Sequence, residues 1–198
     1  MATGLSEAAV QHAPGALVLV VGASGVGKDT MLAGAAQKLR DRRDIAFVRR
    51  CITRPAHASE DFQSMTREAF ERARASGEFS MTWEAHGLSY GVPAVVAQDV
   101  GAGRTVVLNA SRRVVSQARQ QFVRVFVTLV ECAAHIRAER MAARQRESMI
   151  EIVARLSRTV EDFDAGEADV VIDNSGPPEI AVAKFSEVLV RIASQQAA

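Results

Sequence analysis

Residues 22–30, with the sequence GASGVGKDT, have the types and spacing that bind the phosphates of a nucleoside triphosphate. They match G-x-x-x-x-G-K, directly after an apolar run and at the start of helical sequence, as a phosphate-binding loop (P-loop) requires. The loop N–H groups and the helix N-terminus attract anions, and Lys28 reaches the β- and γ-phosphates. The sequence therefore predicts an ATP site with Lys28 catalytic, made of Gly22, Ala23, Ser24, Gly25, Val26, Gly27, Lys28, Asp29 and Thr30.

Asp29 occupies the position at which Ser or Thr usually binds Mg²⁺. Thr30 lies about 100° further round a helix, so it does not simply replace that hydroxyl. A later apolar run, TVVLN, ends in Asn109, where P-loop proteins commonly have a metal-binding Asp. We hypothesise that Asp29 supplies the anionic charge at a Mg²⁺ cofactor. The alternative is that Asp29 only stabilises the first helical turn.

Two further stretches carry candidate chemistry. An arginine-rich helical lid is predicted over about 131–158, because guanidinium groups stabilise a transferring phosphoryl group; a solvated helix face is the alternative. An insert over about 56–93 holds the only Trp and the only Tyr, Trp83 and Tyr90, together with His86. Such rare aromatics beside glycines suggest a small ligand-facing insert, and a minor core of its own is the alternative. The lid arginines are Arg137, Arg140, Arg144, Arg146, Arg155 and Arg158.

Strand-like runs alternate with helical sequence along the chain, which predicts βαβ units and an α/β fold of three layers, α/β/α, around a mostly parallel sheet. In the insert, a helix over 66–76 with an N-cap threonine and a strand over 78–84 precede a polar turn, HGLSYG. A single domain over 16–198 is expected after a flexible tail over 1–15. The strands of the main sheet are predicted at 16–21, 45–52, 105–109, 122–130 and 169–172.

Composition excludes several classes of protein. Twenty-four Lys+Arg against 23 Asp+Glu leave a net charge of +1, without the basic excess of a nucleic-acid binder. The longest apolar run, 16–21, is too short to span a membrane, and the N-terminus lacks signal-peptide features. We therefore expect a cytoplasmic protein without nucleic-acid or membrane partners. Cys51 and Cys132 lack metal-ligand spacing, and the oligomeric state is left open, with a homodimer among the alternatives.

The order of the P-loop, Thr53-Arg54-Pro55, an insert ending in Tyr90-Gly91, an arginine lid and a late Asn174 resembles guanylate kinase. The resemblance implies that Arg54 and Tyr90 hold the acceptor phosphate and that Asn174 contacts adenine. It also implies roles for the lid arginines, which are predicted to be ATP-binding (Arg140), catalytic (Arg144, Arg155) or lid-closing (Arg146). Guanylate kinases read the base with carboxylates, which this chain replaces with Thr82, Asn109 and Ser111.

The segments GKD, RRCITRPA, EDFQSM, WEAHGLSYGVP and LNASR are similar to the ribose 1,5-bisphosphate phosphokinases of phosphonate breakdown. That resemblance implies transfer of the γ-phosphate of ATP to the 1-phosphate of ribose 1,5-bisphosphate, a phosphorylated sugar. A nucleoside monophosphate kinase and a non-catalytic guanylate-kinase-like binding module are the alternatives. The predicted acceptor contacts are Arg54, Trp83, His86, Tyr90, Asn109 and Ser111.

Overall fold

A computed structural model describes residues 15–55, 62–85, 87–143 and 165–195. Its strands are β1 (Ala16–Val21), β2 (Ile45–Val48), β3 (Cys51–Ile52), β4 (Gln63–Ser64), β5 (Phe79–Ala85), β6 (Leu88–Pro93), β7 (Thr105–Asn109), β8 (Val125–Glu131) and β9 (Val170–Asp173). Its α-helices are α1 (Lys28–Lys38), α2 (Arg67–Ala75), α3 (Val95–Gly101), α4 (Val115–Gln121), α5 (Ala134–Ala143) and α6 (Pro178–Ser194). Two 3₁₀ turns lie at Arg112–Val114 and Ala165–Glu167.

The main sheet has five parallel strands in the order β2-β7-β1-β8-β9. Every residue of the central strand β1 is fully buried, as its unbroken apolar sequence predicts for a strand covered on both faces. Alternate β1 side chains pack with α1 and α6 on one face and with α3 and α4 on the other. The predicted three-layer α/β/α fold with a parallel central sheet is confirmed.

The smaller sheet, which we call the insert sheet, has the order β4-β3-β6-β5. Helix α2 begins at its N-cap Thr66, as predicted, and covers one face through Phe70, whose ring stacks on Phe79 at 4.8 Å. On the other face, Met81 and Val92 join the core beneath the main sheet. The insert sheet is therefore packed on both faces, and the chain enters it from the carboxyl end of β2.

Two predictions about this region were wrong. The single strand expected over 45–52 breaks at Arg49 and Arg50 into β2 and β3, which belong to different sheets. The polar turn expected at HGLSYG is, from Leu88 onward, the strand β6. Its polar sequence is tolerated because β3 and β5 pair with it on both sides, which satisfies its backbone groups. The alternation of apolar and polar residues in a sequence shows which side chains share a face of a strand, but it does not show which strand lies beside it.

Several predictions fall outside the described residues: residues 1–14 of the tail predicted over 1–15, His86, and the predicted lid from residue 144 with Arg144, Arg146, Arg155 and Arg158. The first part of the predicted lid is described as helix α5. No helix in the described ranges is long and apolar enough to cross a membrane. The limits of the predicted domain and tail stay predictions.

Candidate active site

The P-loop leaves β1 through two glycines that tertiary contacts require. Gly22 has φ +151°, and a Cβ there would lie 2.3 Å from the backbone oxygen of Val130 in β8. Gly27 has a left-handed φ of +88° and caps α1, and a Cβ there would lie 2.5 Å from Nδ2 of Asn174. Side chains at these positions would therefore push the loop away from β8 and from Asn174.

Lys28 is the first residue of α1, at the helix end where unpaired N–H groups concentrate positive charge. Its ammonium group donates hydrogen bonds to the backbone oxygens of Gly22, at 2.7 Å, and Ala23, at 3.0 Å. The lysine thus folds back over the loop that its own motif forms. This arrangement places an ammonium group and a helix N-terminus together, which suits an anion such as a phosphate.

The two departures from the P-loop pattern, Asp29 and Asn109, are in direct contact. Strand β7 lies parallel to β1, with Asn109 opposite Val20, so that Asn109 comes out beside the P-loop. Its Nδ2 donates a hydrogen bond to Oδ1 of Asp29 at 2.6 Å. A carboxylate at both positions would place two like charges within hydrogen-bonding distance and raise the pKa of one of them. The pair therefore carries one negative charge, on the helix and not on the strand.

The donor set fits Mg²⁺ that is bound together with a nucleotide. Mg²⁺ usually keeps several waters and takes one or two protein carboxylates plus substrate phosphate oxygens. Within the described ranges, no three or more His, Cys, Asp or Glu residues form a metal-binding cluster. A single carboxylate at Asp29, beside the P-loop, is consistent with a metal held largely by phosphates.

The insert contributes an aromatic pair. Trp83 and Tyr90 are cross-strand neighbours in β5 and β6, and their rings stack with centroids 5.1 Å apart and planes 7° apart. The guanidinium carbon of Arg50 lies 5.6 Å from the centroid of the Tyr90 ring, within cation–π range. The same guanidinium donates to Asn109, to its backbone oxygen at 3.3 Å and to Oδ1 at 3.4 Å. Arg50 therefore connects the aromatic pair to Asn109, which in turn contacts Asp29 of the P-loop.

Sequence reasoning missed Arg50, although it belongs to the segment RRCITRPA on which the resemblance rests. The reason is the predicted continuous strand over 45–52, in which Arg50 is one polar side chain among several. The break between β2 and β3 turns it into a junction residue.

Two further predicted acceptor contacts, Arg54 and Ser111, make local contacts of their own. The guanidinium carbon of Arg54 stands 4.8 Å from the centroid of the Phe62 ring, and the Arg54 carbonyl accepts a hydrogen bond from Ser64 in β4 at 2.6 Å. Ser111, which follows β7, accepts a hydrogen bond at Oγ from the backbone N–H of Arg113 at 3.3 Å and so caps a 3₁₀ turn. Their roles toward an acceptor stay predictions.

Asn174 and Arg140 meet at the P-loop. Asn174 is 3% exposed, and its Nδ2 donates to the backbone oxygen of Val26 at 2.7 Å. Arg140 of α5 donates to the same oxygen at 3.5 Å. A Cβ at Gly25 would lie 2.8 Å from Cγ of Met141, so α5 rests directly on the loop. Both side chains contact the P-loop itself, and the predicted contact of Asn174 with adenine stays a prediction.

A second arginine that sequence reasoning missed is Arg112, directly after Ser111. Burial lowers the pKa of this half-buried guanidinium, the nearby carboxylate of Glu131 raises it, and the positive charge of Arg137 lowers it. Arg137 belongs to α5, and its Cγ would lie 3.0 Å from a Cβ at Gly25, so the residue that interacts electrostatically with Arg112 lies against the P-loop.

A P-loop on a parallel α/β/α sheet, with an insert sheet at its carboxyl edge, is the architecture of a P-loop kinase. The family model for guanylate kinase matches residues 15–191. Ribose 1,5-bisphosphate phosphokinase PhnN of Acidiphilium cryptum is 48% identical over 89% of this chain and 93% of its own length. The protein of the same name from Bradyrhizobium diazoefficiens is 44% identical over 90% and 88% of the two chains.

The solved structure of guanylate kinase from Anaplasma phagocytophilum covers 90% of this chain and 86% of its own, with a TM-score of 0.65 and 19% identity, and supports the fold. The chain belongs to the guanylate kinase family and, within it, to the ribose 1,5-bisphosphate phosphokinases. It is therefore a phosphotransferase.

Proposed function

We propose that this protein phosphorylates ribose 1,5-bisphosphate at its 1-phosphate with ATP, giving 5-phospho-α-D-ribose 1-diphosphate and ADP. The observation that carries the proposal is the contact between Asn109 and Asp29, in a chain 48% identical to a protein that bears this activity as its name. The contact joins the unusual P-loop residue to the unusual end of β7, and both residues belong to the segments that resemble this group of kinases.

The reaction needs positioning and charge more than it needs a base. A phosphate monoester has a second pKa near 6, so an oxygen of the acceptor 1-phosphate is already ionised at neutral pH. That oxygen attacks the γ-phosphorus of ATP, the bond from this phosphorus to the β–γ bridging oxygen breaks, and ADP leaves. Lys28 and the lid arginines would hold the nucleotide phosphates, and the arginines of the acceptor side would hold the sugar phosphates.

The metal belongs to the same proposal. When Mg²⁺ is bound with ATP, it neutralises the β- and γ-phosphate oxygens. Asp29 would hold it, with Asn109 orienting the carboxylate through the hydrogen bond of 2.6 Å. The negative charge that P-loop kinases usually place at the end of the strand is thereby moved to the helix. Asn109 would then present an uncharged amide to the acceptor.

An acceptor site without carboxylates favours an acceptor that carries many negative charges. Ribose 1,5-bisphosphate carries nearly four negative charges, and each carboxylate removed from its surroundings reduces repulsion. The same replacements remove hydrogen-bond partners that guanylate kinases offer to GMP, because Thr82 in β5 and Asn109 at the end of β7 stand where that family has carboxylates. The expected preference is at least about a hundredfold in kcat/KM for the sugar bisphosphate over GMP.

The test is a panel of acceptors under matched ATP and Mg²⁺: ribose 1,5-bisphosphate, ribose 5-phosphate, GMP and AMP. ADP release is followed by a coupled assay, and ³¹P NMR identifies the new diphosphate. The Lys28→Ala protein, purified in the same way, shows how much activity comes from contaminating kinases. Faster phosphorylation of GMP would make the protein a guanylate kinase and reject the proposal, and no transfer to any acceptor would favour a binding module.

A further inference from the structure

We propose that Ser175 is a positioning residue for ATP: by binding the N-terminus of helix α5, it fixes the place at which Arg140 meets the P-loop. The inference rests on the proposed function for the role of Arg140, which would hold phosphates of the nucleotide. It adds to the nucleotide side a residue that lies outside both the P-loop motif and the arginine-rich sequence.

Helix α5 begins without the residues that usually cap a helix N-terminus. Ala133 precedes the first helical residue, Ala134, and its backbone oxygen accepts the hydrogen bond from the N–H of Arg137 at 3.0 Å. Ala133 therefore occupies the N-cap position, but it has no side-chain oxygen. Ile136, at the third helical position, cannot bind the N–H of Ala133 as Glu or Gln would in a capping box. The N–H of Ala133 therefore needs a partner from elsewhere in the fold.

That partner is Ser175, 42 positions further along the chain, whose Oγ accepts a hydrogen bond from the N–H of Ala133 at 2.9 Å. The same hydroxyl donates to Oδ1 of Asp173 at 2.5 Å, and the backbone N–H of Ser175 donates to that oxygen at 2.9 Å. These two bonds lower the pKa of Asp173, so its carboxylate is ionised at neutral pH. Because the hydroxyl proton is used on Asp173, the lone pairs of Oγ remain for Ala133.

The residue before Ser175 ties the same turn to the P-loop. The N–H of Asn174 donates to the backbone oxygen of Glu131, the last residue of β8, at 2.8 Å. Its side-chain Nδ2 donates to the backbone oxygen of Val26 at 2.7 Å, and Arg140 donates to that same oxygen at 3.5 Å. The contacts form a closed ring that runs from the P-loop through Asn174 and Ser175 to α5, and through Arg140 back to the P-loop.

Arg140 lies about two helical turns, or ~10 Å, along α5 from Ala133. The backbone hydrogen bonds of the helix keep this distance fixed, so a shift of the N-terminus moves the guanidinium relative to the loop. Asn174 and Ser175 are neighbours in the chain, so the point that holds α5 is also the point that contacts the P-loop. Ser175 therefore acts on ATP through Arg140 and not by touching the nucleotide.

The first experiment is calorimetric titration of Ser175→Ala with ATP and Mg²⁺ in the absence of an acceptor. We expect the Kd for ATP to rise about 3- to 10-fold, which corresponds to the loss of one helix cap. In turnover, KM for ATP should rise by a similar factor, while KM for ribose 1,5-bisphosphate stays within about twofold. An unchanged Kd for ATP would overturn the proposal, and so would equal rises in both KM values.

A second cycle of variants tests whether Ser175 acts through the arginine. Arg140→Met alone should weaken ATP binding by about tenfold or more, since it removes a charged hydrogen-bond donor. In the Arg140→Met background, Ser175→Ala should weaken ATP binding by less than about a further twofold, because the group that it positions is gone. A penalty as large as in the wild-type background would make the role of Ser175 structural only and reject the proposal.

Ser194→Ala is the matched control, because the Ser194 hydroxyl donates only to the backbone oxygen of Val190 in its own helix, α6, and should bind ATP like the wild type. Ser175→Thr keeps the hydroxyl and should restore ATP affinity to within about twofold of the wild type. Asp173→Ala removes the acceptor that orients this hydroxyl, so it should weaken ATP binding less than Ser175→Ala. It decides the question if Ser175→Ala does not fold: no loss, or a loss that persists undiminished in Arg140→Met, would reject the proposal.

The inference and the proposed function fail separately, because the ATP titrations contain no acceptor. If the wild type prefers GMP in turnover, the proposed acceptor is wrong, and a smaller effect of Ser175→Ala in Arg140→Met would still support the role of Ser175. If the wild type binds no ATP, the role of Arg140 is wrong and the inference is rejected with it.

Discussion

In the main sheet, a single strand whose six residues are all fully buried delivers nine consecutive residues to the phosphate site. The insert sheet carries Trp83 and Tyr90 on β5 and β6, while Arg50 and Arg54 flank β3, which has only two residues. The half built on the main sheet is thus rigid because of burial, and the half built on the insert is assembled by cross-strand pairing. We expect substitutions in the first half to affect both stability and catalysis, and those in the second to affect mainly acceptor affinity.

The largest effect is expected for Lys28→Ala. Removing the cation that bridges the β- and γ-phosphates should lower kcat/KM by about two to three orders of magnitude or more. Lys38→Ala is the control, since Lys38 is an exposed lysine in the last turn of the same helix and should change activity less than twofold. Steady-state kinetics measures both. A Lys28→Ala protein with more than about a tenth of wild-type turnover would contradict the role of the P-loop.

The next effect compares Gly22→Ala, directly after β1 of the main sheet, with Gly77→Ala, after α2 in the insert. Both glycines have a positive φ, but only at Gly22 would a Cβ meet backbone, at 2.3 Å from the oxygen of Val130. We expect a loss of about 2–4 kcal/mol in the free energy of unfolding for Gly22→Ala and about 1–2 kcal/mol for Gly77→Ala. Urea denaturation measures both. Equal losses would show that the two halves do not differ in rigidity.

A double-mutant cycle tests whether positions 29 and 109 share one negative charge. Asp29→Asn should raise the Mg²⁺ concentration needed for half-maximal activity by about tenfold, with a smaller change for ATP. Asn109→Asp should place two carboxylates in contact and reduce activity by repulsion. The double variant, Asp29→Asn with Asn109→Asp, restores one charge and should recover part of the loss, with a coupling of about 1–2 kcal/mol. Strictly additive effects, or an unchanged Mg²⁺ titration, would leave Asp29 as a stabiliser of the helix terminus.

The smallest effect is expected at the edge of the main sheet, where Arg42 binds Asp44 ahead of β2 at 2.6 Å. The hydrogen bond from Arg42 lowers the pKa of Asp44. A lowered pKa stabilises the fold above the unfolded-state pKa, and the stabilisation is lost as the pH falls towards the folded-state value. Because both side chains are more than a third exposed, Arg42→Gln should cost under about 1 kcal/mol at pH 7, and the cost should shrink as the pH falls below the unfolded-state pKa of Asp44. A large, pH-independent loss in thermal unfolding would assign Arg42 a packing role.

The main sheet was accessible to sequence reasoning because its strands are apolar runs with helical sequence between them. Strand β1 begins and ends where its sequence predicts, and α1 begins within the P-loop motif, as expected from the helical sequence there. The insert was only partly accessible. Its first helix followed from the N-cap Thr66, but β6 did not follow from HGLSYG, since a polar strand is stabilised by its partners and has no apolar pattern of its own.

The candidate site divides in the same way. The P-loop and the family resemblance follow from contiguous residues, whose backbone geometry a short motif specifies by itself. The hydrogen bond between Asn109 and Asp29 joins residues 80 positions apart, and Arg50 reaches Asn109 across 59 positions. Such contacts depend on β7 lying beside β1 and on the chain passing from one sheet to the other at Arg50. Strand order is set by packing of the whole domain, so only the folded structure shows that these side chains meet.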